Sequence, residues 1–119
     1  MSEIINSIEK LGGGTSSKTL EVIYTGDLTI SGHTSFTSLC SKDPTTFDYL
    51  MVTVKDSRYA WLYVAFFKMT KGSELLFPLY GGSPTLEINW SAFDPPKFVA
   101  LNMASSQSLI VKEIVGIKI

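Results

Sequence analysis

Residues 47–67 read FDYLMVTVKDSRYAWLYVAFF, and this stretch decides the fold class. Its two halves, Phe47–Val54 and Tyr59–Phe67, are dense in β-branched and aromatic residues, which favour strands. The polar run Lys55–Arg58 between them is the kind of short connection that joins two antiparallel strands. The stretch therefore predicts a β-hairpin in the middle of the chain.

Further strands are predicted on both sides of this hairpin. Leu20–Tyr24 and Leu28–Ile30 precede it, with Gly26-Asp27 as a turn between them. The strands that follow it are predicted at Glu74–Tyr80, Thr85–Trp90, Lys97–Met103 and Ser108–Ile119. Turn signals recur about every 8–12 residues, and nothing after residue 17 has sustained helical spacing. We therefore expect residues 18–119 to form an all-β head domain, an antiparallel, jelly-roll-like β-sandwich of about eight strands.

Residues 1–17 have a different pattern and are predicted to form a short helix followed by a glycine linker. Ile4, Ile5, Ile8 and Leu11 fall on one helical face, and Gly12–Gly14 end the helix. A helix of about ten residues is marginal alone in water, so this apolar stripe needs a partner. The partner could be the β-domain of the same chain, copies of the helix or another protein.

The spacing of this stripe favours self-association. Ile4, Ile8 and Leu11 are separated by four and three residues, which is the seam spacing of a coiled coil. A cluster around a threefold axis would bury all three stripes at once, and closed symmetry prevents runaway association. We therefore expect a homotrimer, with these three residues as its oligomerisation contacts.

The composition excludes several function classes. Hydrophobic residues make up 45% of the chain and charged residues 18%, which is enough apolar material for a core. The net charge of -1 leaves no basic surplus for nucleic-acid binding. The longest apolar run, Ala60–Phe67, is too short to cross a bilayer. We expect no nucleic-acid partner and no membrane insertion.

Enzyme chemistry has little support in the sequence. His33 is the single histidine and Cys40 the single cysteine, so one chain cannot supply a structural zinc site. No Gly-x-Ser-x-Gly nucleophile elbow occurs, and the glycine-rich run 12–17 lacks the Gly-Lys-Ser/Thr order of a nucleotide loop. We expect no catalytic residue, no cofactor and no metal, with His33 in a solvated turn.

Aromatic residues in two regions are candidates for binding a sugar, because sugar rings stack their CH faces on aromatic side chains. Tyr59 and Trp61 point to one side of a predicted strand, where core or subunit interface is the alternative interpretation. The other residues lie at or near loop ends, where function is more common. The candidate saccharide-binding residues are Tyr80, Trp90, Asp94, Tyr59 and Trp61.

Two segments of the sequence resemble a known class of β-sandwich. They are the strand Phe47–Val54, with its aromatic-Asp-x-Leu-x-Val order, and the Ile/Val-rich ending Ile110–Lys118. Both resemble small domains of tail-fibre, baseplate and receptor-binding proteins of tailed bacteriophages. The resemblance spans roughly residues 18–119, and the short helix before the β-head resembles the helical stalk of such trimers.

This resemblance implies a function without catalysis. It suggests a phage or prophage virion protein of the tail or baseplate, made in the bacterial cytoplasm, that mediates assembly or host-envelope receptor binding. Its partners would be copies of itself and other tail proteins or a cell-surface saccharide. The alternative is a free-standing, lectin-like carbohydrate-binding module without a virion role.

Overall fold

A computed structural model describes residues 18–80 and 83–119, and β-strands dominate this part of the chain. The strands are β1 (Thr19–Ile30), β2 (His33–Ser35), β3 (Tyr49–Asp56), β4 (Tyr63–Lys68), β5 (Glu74–Pro78), β6 (Thr85–Asn89), β7 (Lys97–Leu101) and β8 (Leu109–Lys118). Two single-turn 3-10 helices, Thr37–Leu39 and Pro44–Thr46, lie between β2 and β3. The predicted helix and linker of residues 1–17 lie outside the described residues.

The strands form two antiparallel four-stranded sheets. Sheet A has the order β1-β8-β3-β4 and sheet B the order β2-β7-β6-β5. The predicted all-β, antiparallel sandwich is thereby confirmed. The edge strands are unequal: β2 has three residues and β5 ends at Pro78, whereas β4 pairs with β3 in a regular register over six residues.

The prediction of two strands around a Gly26-Asp27 turn is wrong. The chain runs straight through this dipeptide as part of β1, and the register with β8 shifts between Thr25 and Leu28. Gly26 has a φ of 155°, a conformation that glycine adopts easily. The extra residues are accommodated as a bulge, which bends the strand without ending it.

Two other boundaries differ from the prediction. His33, expected in a solvated turn, lies in β2 and pairs with Val99. A three-residue strand is too short to show a period in the sequence. The central hairpin also begins its second strand later, because β3 extends to Asp56 and β4 starts at Tyr63. Tyr59 and Trp61 therefore lie in the connecting loop.

The main core lies between the two sheets. Phe98 of β7 and Phe36 are both fully buried, and their rings stack with centroids 4.0 Å apart. Phe47 closes one end of the core over Gly116. A Cβ atom at position 116 would lie 2.6 Å from Cγ of Phe47, so glycine is required there for the ring to pack.

The opposite, outer face of sheet A carries a second apolar cluster. We use "outer face" for Leu20, Val22, Tyr49, Met51, Val115 and Ile117, which pair with one another across β1, β8 and β3. Met51, Val115 and Ile117 are only 2%, 0% and 5% exposed. These three side chains are therefore as buried as those of the main core, whereas Val22 is 40% exposed.

Glu113 shares this face, opposite Thr53. Its Oε1 atom is buried and accepts no hydrogen bond within the described residues. Burial raises the pKa of the Glu113 carboxyl, because the charged form loses its hydration. A carboxyl whose pKa is raised on folding favours the native state at low pH and loses that contribution as pH rises.

We expect Glu113→Gln to raise the melting temperature at pH 7, since the amide carries no charge into the buried position. The gain should shrink as pH falls toward about 4.3, the ordinary pKa of a glutamate, because the carboxyl then becomes neutral as well. Calorimetry of both proteins between pH 4 and pH 8 measures this. Equal melting temperatures at every pH would contradict the buried position of the carboxylate.

Candidate functional site

Four aromatic side chains meet at the N-terminal end of β4. We call them the aromatic cluster: Tyr59 and Trp61 from the loop between β3 and β4, Tyr63 at the start of β4, and Tyr80 just after β5. Trp61 is 60% exposed, and Tyr59 and Tyr80 are 41% and 40% exposed. The cluster is therefore a surface feature of the described part of the chain, and Tyr63 joins it to the main core.

The rings have a defined arrangement. Tyr59 and Trp61 stack nearly parallel, with centroids 5.0 Å apart and an angle of 13° between the planes. Tyr80 meets Tyr59, Trp61 and Tyr63 with its edge, at centroid distances of 5.7, 6.0 and 5.2 Å. Offset-parallel and edge-to-face contacts are the favourable geometries for aromatic pairs. The cluster therefore holds its own shape.

Asp56, at the end of β3, anchors the loop that carries Tyr59 and Trp61. Its carboxylate is fully buried and accepts hydrogen bonds from the backbone N–H, Nε and Nη2 of Arg58, at 2.9, 3.3 and 3.0 Å. The guanidinium carbon of Arg58 lies 5.2 Å from the centre of the Tyr59 ring, within cation–π range. The buried carboxylate thus fixes an arginine against the stacked rings.

A distant turn completes this anchor. Gln107 donates from Nε2 to Asp56 Oδ2 at 2.7 Å, and its Oε1 accepts from the backbone N–H of Ala104 at 2.8 Å. Burial alone would raise the pKa of Asp56, but the hydrogen bonds from Arg58 and Gln107 outweigh it and lower the pKa. Asp56 is therefore a carboxylate at neutral pH.

Tyr80 is held in an uncommon backbone conformation. Its φ is 49°, in the left-handed region that tyrosine seldom adopts. Loss of hydration, and then the hydrogen bond with Tyr63, raises the pKa of Tyr80 to about 12. Its phenol therefore stays protonated at neutral pH. Strained backbone of this kind concentrates at binding sites, although it does not by itself identify one.

Trp90 and Asp94, the other predicted saccharide residues, lie elsewhere. Trp90 Nε1 donates to Asp94 Oδ1 at 3.1 Å, and Lys71 Nζ lies 3.5 Å from Asp94 Oδ2. Trp90 follows β6 beside the start of β5, whereas Tyr80 follows the end of β5. The length of β5, about 13 Å, separates these ends. The predicted residues therefore divide into two sites, of which Tyr59, Trp61 and Tyr80 form one.

A groove of about 330 Å3 lies beside the first 3-10 helix. Its wall includes Cys40, whose Sγ donates to the carbonyl of Phe36 at 3.4 Å. Burial, reinforced by Asp43, raises the pKa of the Cys40 thiol to about 11. A protonated thiol is a poor nucleophile, so the groove shows no activated group. The groove is lined by Thr37, Ser38, Cys40, Ser41, Lys42, Asp43 and Pro95.

The single histidine, His33, is exposed on β2, and its ring lies 4.9 Å from that of Phe93. Within the described ranges, no three His, Cys, Asp or Glu side chains come together as a metal site requires. None of the helices in this part of the chain has the length and apolarity that a bilayer-spanning segment needs.

Sequence reasoning found Tyr59, Trp61 and Tyr80 of the cluster but missed the polar residues that hold them. The sequence predicts Asp56 and Arg58 only as part of the polar connection Lys55–Arg58, and no pattern in it marks Gln107. The available signal was an Asp-x-Arg sequence directly after a buried strand, which is typical of a side chain that caps a turn.

Comparisons with protein-family models, curated proteins and solved structures gave no match.

Proposed function

We propose that the protein binds saccharides at the aromatic cluster and catalyses no reaction on them. The observation that carries this proposal is the state of Trp61. One face of its indole lies against Tyr59, yet the side chain is 60% exposed. The rest of its surface is therefore available to stack on the CH face of a sugar ring.

The surroundings of Trp61 supply the polar groups that a sugar needs. Phenol hydroxyls of Tyr59 and Tyr80 can donate to and accept from sugar hydroxyls, and the Arg58 guanidinium presents further donors. Asp56 holds Arg58 in place through three hydrogen bonds. A platform fixed in this way loses little conformational entropy when a ligand binds, which favours affinity.

The biological setting is the part of the proposal that comes from the sequence. The resemblance of Phe47–Val54 and Ile110–Lys118 to tail domains of bacteriophages suggests that the saccharide belongs to a host envelope and that the chain is a trimeric tail protein. A jelly-roll topology and an N-terminal helix are finer features of the same proposal. Finding the chain in purified virions would support this setting, and its absence from them would favour a free-standing lectin-like module.

The saccharide site is tested by replacing its platform. A glycan array with the full chain identifies a bound saccharide, and titration calorimetry then measures its affinity for each variant. We expect Trp61→Ala to weaken binding at least about tenfold, which is about 1.4 kcal/mol, because an aromatic anchor is lost. Circular dichroism should show an unchanged fold, since Trp61 lies on the surface.

Trp90→Ala is the matched control, because it is the same substitution at the opposite end of the β5–β6 hairpin. We expect it to leave saccharide affinity unchanged. Loss of binding in Trp90→Ala with full binding in Trp61→Ala would move the site to Trp90 and Asp94. If Trp61→Ala changed the molecular mass in solution instead of the affinity, the cluster would be a subunit interface.

A further inference from the structure

The centre of the outer face, at Met51, Val115 and Ile117, is buried although the face turns away from sheet B, whereas Val22 and Phe66 at its edges are 40% and 53% exposed. Side chains on a sheet face have neighbours beside them, but without a second layer they stay open to solvent above. Val115 and Met51 are nevertheless 0% and 2% exposed. Within the described ranges, the neighbours of these side chains and of Ile117 include Leu20, Tyr49 and Phe66, which belong to the same sheet.

The sequence of β3 is typical of a strand that is buried on both faces of its sheet. Strands with one solvated face alternate between apolar and polar residues, whereas strands buried on both faces are continuously apolar. Residues 50–52 are Leu, Met and Val, and all three are at most 2% exposed. Leu50 and Val52 belong to the main core, and Met51 faces the opposite way. A covering layer on the outer face accounts for this pattern.

Glu113, which is half-buried, agrees with such a layer. It is on the outer face, where a glutamate would ordinarily extend its carboxylate into water. Instead its Oε1 atom is buried and accepts no hydrogen bond within the described residues. A layer that excludes water from Val115 and Met51 would exclude it from this neighbouring carboxyl oxygen as well.

Residues 1–17 are the part of the chain best placed to form that layer. They join the described residues at Lys18, next to the pairs Thr19–Lys118 and Leu20–Ile117, at a corner of the outer face. A predicted helix of 11 residues is about 16 Å long, close to the width of four strands, about 14 Å. The linker 12–17 can span about 20 Å, so the helix can reach any part of the face.

We propose that residues 1–11 dock on the outer face of sheet A in their own chain, as a third layer over the sandwich. The apolar stripe Ile4, Ile5, Ile8 and Leu11 supplies the side chains that face the sheet. The short tether gives this contact an effective concentration in the millimolar range, far above that of a second molecule in dilute solution. Docking within the chain therefore competes well against a three-stranded bundle of such short helices.

A double-mutant cycle in the full-length chain tests the contact. Ile8→Ala and Val115→Ala are each expected to lower the melting temperature. The double variant should lose less than the sum of the two shifts, because either change already removes the same packing. Ile8→Ala combined with Leu76→Ala is the control, since Leu76 lies 58% exposed on β5 of the other sheet, and these two shifts should add.

The dependence on protein concentration identifies the occupant of the face. For docking within one chain, the melting temperature and the loss caused by Ile8→Ala should be the same at low and high concentration. Additive shifts for Ile8 and Val115 would overturn the proposal. So would light scattering that shows a trimer which Ile8→Asp converts to monomers, because the stripe would then be buried between copies.

Discussion

Asp56→Ala is expected to lower the free energy of unfolding by about 3 kcal/mol, because it leaves several hydrogen-bond donors without their acceptor. The carboxylate is fully buried, and it joins the end of β3 to Arg58 and Gln107. The side chain of Arg58 is 37% exposed, so its guanidinium can be hydrated when the carboxylate is removed. The expected loss therefore lies at the lower end of the range for breaking a buried ion pair. Urea unfolding followed by fluorescence measures the change.

Asp94→Ala is the control for this substitution. Asp94 is 62% exposed and pairs with Lys71 at 3.5 Å, so its removal should cost less than about 1 kcal/mol. Equal losses for Asp56→Ala and Asp94→Ala would contradict the anchoring role of Asp56. Because the loop from Asp56 carries the rings, saccharide binding should also weaken in Asp56→Ala and not in Asp94→Ala.

The same anchor predicts a pH dependence. Since hydrogen bonds lower the pKa of Asp56 in the folded state, its stabilising contribution is complete above the ordinary value of about 3.9 and is lost as pH falls toward the lowered value. The stability difference between the native protein and Asp56→Asn should therefore be largest near neutral pH and narrow in acid.

Phe98→Ala is expected to cost about 3–5 kcal/mol, the range for removing a large aromatic side chain from a core. Phe98 is fully buried on β7, and its ring stacks on Phe36 at 4.0 Å. The substitution would leave a cavity beside Phe36, between β7 and the segment that leads into the first 3-10 helix. Within the described residues, no other pair of stacked aromatic rings joins these two segments. Thermal and urea unfolding both measure the loss.

Phe66→Ala makes the same change on an exposed side chain and serves as the control. Phe66 is 53% exposed on β4, so its loss should be within about 1 kcal/mol. A loss for Phe98→Ala no larger than this would mean that the packing between β7 and Phe36 contributes little to stability.

Much of the fold was predictable because it depends on local patterns. The six strands from β3 to β8 are marked by β-branched and aromatic residues between turn signals, and they lie near their predicted positions. Gly26-Asp27 misled the prediction, since the same dipeptide suits a turn and a bulge, and only pairing with β8 distinguishes them. The three residues of β2 form a strand only because β7 lies beside them.

The aromatic residues of the candidate site could be predicted from the sequence, but the polar residues that hold them in place could not. Tyr59 and Trp61 were expected to share a side because they alternate in a strand, yet they lie in a loop and come together by stacking. Tyr80 joins them through the β5 strand end, a contact that depends on how the sheets stack. The bond from Gln107 to Asp56 spans 51 residues, and no local pattern in the sequence indicates it.

The unequal edges of the two sheets determine where this protein is most exposed to aggregation. Further strands add most easily to a long, regular edge without proline. In the described part of the chain, β1 is bulged, β2 has three residues and β5 ends at a proline, so β4 best fits that description. Its outward Val64 and Phe66 are 39% and 53% exposed. Strand addition at β4 is therefore the contact that association at high concentration would use first, and Lys68 at the end of β4 is a charge that opposes it.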